Sequence, residues 1–146
     1  MSRPPRPHRA EFPHWEQVTT RWADIDVYGH MNNARYFEII DTVVNNHLVA
    51  ATGVDIRELD AIGVVAEVGC RYFAEVGYPD PVDVGVVVDR IGDRSVSYRI
   101  GLFQGPGDEA AAEGRFVHVY VDNTDPARPS TSVPAAIRDA VAPLLR

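Results

Sequence analysis

Hydrophobic period, more than composition, divides this chain. From Trp15 to Ala23, the residues Val18, Thr19, Thr20 and Trp22 suit a pleated surface and predict a first strand. From Asn32 to Thr52 the period lengthens. Phe37, Ile40, Val44, Leu48 and Ala51 recur at three- and four-residue steps, Ile39, Val43 and His47 widen the stripe, and Gly53 supplies a stop. That spacing predicts a helix of about 21 residues, roughly 30 Å long at the usual rise. Alternation then returns in four runs: Ile62 to Val76, Val82 to Val88, Val96 to Leu102 and Ala110 to Asp122. The turns between them are short and rich in glycine and proline, as antiparallel neighbours require. Val133 to Leu145 predicts a short closing helix. The order strand, long helix, four strands is that of an α+β domain, a five-stranded antiparallel sheet wrapped around one long central helix. A second apolar sheet face remains, which is expected to pair with another copy as a homodimer or homotetramer.

Composition narrows the picture. At 146 residues and 45% hydrophobic, the chain is expected to form one domain over residues 14–146. Residues 1–13 hold four prolines and three arginines and are expected to be a flexible or extended arm. No apolar run approaches the ~20 residues that span a bilayer, and the first residues lack a secretory leader, so a cytoplasmic protein without membrane contact is expected. A net charge of −7 argues against nucleic acid as a partner. The chain contains no lysine, which excludes Schiff-base chemistry and a phosphate-loop lysine. Cys70 is the only cysteine and reads as a small buried thiol in a strand. Neither a metal motif, nor a serine-hydrolase elbow, nor a dinucleotide-binding glycine motif is present, so no metal and no cofactor are expected.

The chemistry concentrates in residues 21–36. Asp24 and Asp26 end an alternating segment, Gly29 and His30 make a turn, and Asn32 and Asn33 open the long helix. A helix start offers unpaired N–H groups and partial positive charge, which suit an oxygen that turns negative during reaction. A carboxylate opposite it could attack a carbonyl or activate water.

The run Asp24-Ile-Asp26-Val-Tyr-Gly29-His30-Met-Asn32-Asn33-Ala-Arg-Tyr36 resembles the active-site signature of the hotdog-fold acyl-CoA thioesterases, in the 4-hydroxybenzoyl-CoA thioesterase-like group. The likeness extends to Tyr78-Pro79-Asp80, Arg90-Ile91-Gly92 and the strand ending in Asp122. It implies hydrolysis of an acyl-CoA substrate, with Asp26 as nucleophile or general base. The backbone N–H near Asn33 is implied as the oxyanion donor, with Gly29 allowing close approach and His30 bonding near the carboxylate or bracing the turn. It also implies Asn32 and Tyr36 beside the substrate, Glu67 lining the pocket from a partner subunit, and Arg90, Arg94 or Arg128 meeting the phosphates.

Other residues read as scaffolding. Asp24 is expected to bond turn amides or Arg21, Asn32 also suits a helix cap, and Arg35, Glu38 and Asp41 read as a solvated helix face. His118 reads as an interior histidine with its bonds satisfied. Two rivals to hydrolysis are a hydratase or dehydratase on the same fold and a noncatalytic acyl-CoA-binding module. The hydratase reading needs four residues between its aspartate and its histidine, whereas only three separate Asp26 from His30.

Overall fold

The computed structural model describes residues 5–146. Five strands, β1 (His14–Val18), β2 (Ala61–Tyr72), β3 (Val82–Ile91), β4 (Ser95–Phe103) and β5 (Ala112–Asp122), form one antiparallel sheet in the order β1-β3-β4-β5-β2. The long helix α1 (Asn33–Thr52) packs on one face, with the short α2 (Ala135–Val141) beside it. Gly53, in the left-handed region at φ 69°, caps α1 by donating its N–H to the Val49 carbonyl.

The middle of the predicted stripe, Ile39, Ile40, Val43, Val44 and Leu48, is buried, whereas Phe37 and His47 are half-buried, Ala51 is exposed and Tyr36 joins the buried side instead. Tyr36, Ile39, Ile40, Val43, Val44 and Leu48 meet Val84, Val86 and Val88 of β3, Ile100 and Leu102 of β4, and Phe116 and Tyr120 of β5. Burying six such side chains contributes on the order of 10 kcal/mol, enough to make α1 an obligate partner of the sheet.

Part of the sheet's other face, over β3 and β4, is covered by the chain's own head. Of the expected flexible or extended arm of residues 1–13, the first four lie outside the described residues and the rest pack against the sheet. Arg6 donates to the Ala110 carbonyl, and Ala110 returns a backbone bond to Pro7. Arg9 pairs with Asp83 at 3.0 Å and lies over the Phe103 ring. Phe12 is buried with Val87, Phe103 and Ala110. Two glycines make its slot, since a Cβ on Gly85 or Gly101 would come within 2.6 Å of the Phe12 side chain. The prolines straighten the segment; its aromatic and guanidinium groups fasten it.

Three other expectations change. The first strand stops at Val18, because the Asp24 carboxylate captures the Arg21 N–H and winds Trp22–Asp24 into a 3₁₀ turn. At the far edge of the sheet, residues 64–68 of β2 are exposed on both faces, so α1 does not cover that stretch. Cys70 is half-buried rather than buried, although burial still pushes its thiol up to about 11.

Candidate active site

Local hydrogen bonding builds the site almost unaided. The Asp24 carboxylate, 2% exposed as a residue, accepts from the Arg21 backbone and from its guanidinium at 2.6 and 2.9 Å, and Arg35 of α1 lies 3.3 Å away. Burial pushes the Asp24 carboxyl upward, and the Arg21 bonds with the Arg35 charge outweigh it, holding the group below its ordinary value. The Asn32 N–H then donates to the Asp24 carbonyl at 2.7 Å. Asp24 is therefore the knot that ties the loop to the start of α1. Arg35 belongs to this knot rather than to a wholly solvated face.

The next residues fold into a small loop. Asp26 donates its N–H to the His30 carbonyl, and one oxygen of its carboxylate (Oδ1) accepts from the Tyr28 N–H at 2.8 Å and the His30 N–H at 3.2 Å. Gly29 closes the turn at φ 83°, a conformation costly for other residues. This fixes the Asp26 side chain by one oxygen and leaves Oδ2 without a partner among the described residues. The Asn32 side chain caps α1 by accepting from the Ala34 N–H at 2.9 Å. The first helical N–H, that of Asn33, has no acceptor among the described residues.

A cleft of about 490 Å³ opens between these groups and the end of β2. Asp26, His30, Asn33 and Tyr36 line it, as the sequence led us to expect, together with Tyr72 and Glu75, which it did not. The Tyr72 hydroxyl donates to the Asn33 side-chain oxygen, and its ring meets Tyr36 edge-on at 4.9 Å. Burial raises the Tyr36 phenol to about 12 and raises Tyr72 as well, so both stay protonated and act as donors or apolar walls. Glu75 sits 3.1 Å from the outer nitrogen (Nε2) of His30. His30 thus grips the loop by its backbone and reaches the cleft by its ring. Glu75 and Tyr72 carry no separate signal in the sequence: each is one more residue in or after an alternating strand, brought to Asn33 by a contact some 40 positions long.

The remaining expected residues lie elsewhere. Asn32 is exposed at the cap, outside the cleft lining. Glu67 is exposed on the bare stretch of β2. Arg90 is the penultimate residue of β3, Arg94 donates to Ser130, and Arg128 borders a different cavity at the far end of α1. Within one chain, none of these three arginines reaches the cleft. The far cavity also holds His118, which is interior but not satisfied, since its Nδ1 is buried without a partner.

A carboxylate with one pinned and one open oxygen, facing an unclaimed helix N–H across an open cleft, is suited to attack on a carbonyl or to taking a proton from water. The chain matches the model of the thioesterase-like superfamily over residues 20–141. It is similar to the PA5185 protein from Pseudomonas aeruginosa strain PAO1, at 41% identity over 97% of each chain with a TM-score of 0.90. The fold is shared with the 1,4-dihydroxy-2-naphthoyl-CoA thioesterase from Synechocystis, at 13% identity, 89% of this chain, 96% of that one and a TM-score of 0.79. It is shared also with the gentisyl-coenzyme A thioesterase BH1999, at 17% identity, 88% and 99% coverage and a TM-score of 0.75. Comparison with curated protein sequences finds no match.

Proposed function

We propose, for a chain that belongs to the thioesterase-like superfamily, that it hydrolyses an acyl-CoA thioester to the free acid and coenzyme A. The observation that carries this reading is the open Asp26 oxygen sharing a cleft with the unclaimed N–H of Asn33. In the reaction a C–O bond forms at the acyl carbon and the C–S bond breaks. The carbonyl oxygen, negative in between, is held by the first amides of α1. Asp26 either attacks the carbonyl, to be released by water, or accepts a proton from the attacking water; the departing sulfur takes up a proton in turn. His30, Tyr36 and Tyr72 then line the path of the acyl group, and Asn32 holds the helix start in register.

Coenzyme A is the proposed carrier because two of the thioesterases that share this fold are named for coenzyme A thioesters. Its phosphates need cations that the cleft of one chain lacks. The proposal therefore includes a homodimer or homotetramer built along the bare edge of β2, where Val64, Val65 and Val68 are exposed. Two-fold pairing along that edge is antiparallel and sets the Ala61 end of one chain beside the Tyr72 end of the other. Glu67 and the arginines near the β3–β4 turn, Arg90 and Arg94, would approach a cleft from the second chain. A cytoplasmic location belongs to the same proposal; among the described residues no helix is long and apolar enough to cross a membrane.

The test follows thiol release from short, long and aromatic acyl-CoA substrates by wild type, Asp26→Asn and Asp26→Ala. Hydrolysis by wild type and its loss in both variants, with unchanged sedimentation, is the expected result. Undiminished turnover in the variants would remove Asp26 from the reaction. Sedimentation of wild type as a monomer at micromolar concentration would remove the shared site.

A further inference from the structure

At the far end of α1, about 22 Å from its start at the usual helical rise, a half-enclosed chamber of about 300 Å³ lies under α1, the beginning of β2, β5 and α2. Its walls include Leu48 and Ile137, and its polar groups are His118, Asn45, Asn123 and Arg128. His118 is the informative one. It is 3% exposed, its ring makes no hydrogen bond among the described residues, and its Nδ1 is sealed and unpartnered. The Gly63 backbone presses on that side of the ring: a Cβ there would lie 3.0 Å from Cγ and 3.1 Å from Nδ1. Because His118 lines the chamber and only its Nδ1 is sealed and unpartnered, the Nε2 edge is assigned to the chamber side. A sealed lone pair is cheaper to strand than a sealed N–H, so the proton belongs on Nε2, where it can donate into the cavity. Burial pushes the ring down to about 4, which keeps it neutral at pH 7.

The rim carries charge of both signs. Arg57 is matched by Asp55 at 2.8 Å, while the carboxylates of Asp122 and Asp125 each accept an amide N–H, from Thr124 and Ala127, and keep their charge. Arg128 stands exposed at the mouth and forms no ion pair among the described residues. Asn45 and Asn123 use their NH₂ groups on backbone carbonyls of Asp41, Arg57 and Leu59, which leaves their amide oxygens as acceptors. A neutral buried donor, an apolar throat and a free guanidinium at the mouth describe one kind of ligand.

We propose that this chamber binds a free monocarboxylic acid, its carboxylate on Arg128, its apolar body between Leu48 and Ile137, and an oxygen at its far end accepting from His118. A cavity of about 150 Å³ takes one benzene-sized body, so this one takes an acid of about six to ten carbons. The site stands whether or not the chain cleaves thioesters, because free acids alone occupy it.

The test is isothermal titration calorimetry of the full chain with octanoate, 8-hydroxyoctanoate and octylammonium, read alongside the His118 ring signals in NMR. Octanoate is expected to bind and shift the His118 ring; 8-hydroxyoctanoate is expected to bind several-fold tighter, and octylammonium not at all. Arg128→Gln, at an exposed position that leaves the fold intact, is expected to weaken both acids about tenfold, the worth of a charge-assisted bond. His118→Leu is expected to erase the advantage of the hydroxylated acid while retaining octanoate. An unmoved His118 signal at 10 mM acid, equal binding of octylammonium, or undiminished affinity in Arg128→Gln would each overturn the proposal.

Discussion

The two ends of α1 are built on opposite plans. At its N-terminal end almost every polar atom is committed: Asp24 is tied to Arg21, Arg35 and Asn32, and Asp26 is tied to two amides. What stays open toward the cleft is one carboxylate oxygen and one N–H, while the Arg35 Nε–H lies buried 3.3 Å from Asp24 without a hydrogen bond. At the C-terminal end Asn45, Asn123 and Arg57 are bonded as well, but His118 is left without a bond inside a cavity. The first plan suits chemistry, in which a few preorganised groups meet developing charge. The second leaves unmet hydrogen-bonding capacity, which is the condition for holding a ligand.

The largest expected effect separates the ends by activity. Asp26→Asn is expected to cut thioester hydrolysis about 1,000-fold while the His118 ring signals stay in place; a variant within tenfold of wild type would break the contrast. Next comes stability. Asp24→Ala removes the partner of two arginines and is expected to cost about 3 kcal/mol in urea unfolding. A cost below 1 kcal/mol would show that the knot is decorative.

The third test uses pH. His118 falls from 6.5 to about 4 on folding, so between those values the unfolded chain binds a proton that the folded chain refuses. Stability from this group is complete above pH 6.5 and is lost as pH falls toward 4, by about 2 kcal/mol between pH 7 and pH 5. His118→Leu is expected to flatten that slope. Asp24 acts in a lower window, its stabilisation fading only as pH drops below its ordinary 3.8 and through its depressed folded value. The smallest expected effect is at the cleft wall: Tyr72→Phe loses the bond to the Asn33 side chain and is expected to lower kcat/KM about fivefold. An unchanged value would make Tyr72 only a wall.

The same contrast explains what could be read in advance. The cleft is legible because its parts are neighbours in sequence: Asp24 to Tyr36 is one turn and one helix start, and local bonds set nearly all of its geometry. The helix is legible because one stripe of Ile40, Val44 and Leu48 dictates it. The chamber is not, because Asn45, His118, Asn123 and Arg128 come from α1, β5 and a late loop, and only the sheet order brings them together. His118 reads as ordinary in an alternating strand; its missing bond is a property of the surroundings. Tyr72 and Glu75 stay hidden for the same reason. The head of the chain misleads in the other direction, since proline content speaks of stiffness and says nothing of the anchoring that Phe12 and Arg9 supply.

Phe12 acts as a plug, and its socket is carved in advance into the two strands beneath it. A version of the protein begun at His14 would keep every strand and helix yet carry an unfilled greasy dent on its outer surface. Such a trimmed protein should clump or precipitate where the longer one stays dispersed, and a peptide spanning the missing thirteen residues should bring it back into solution.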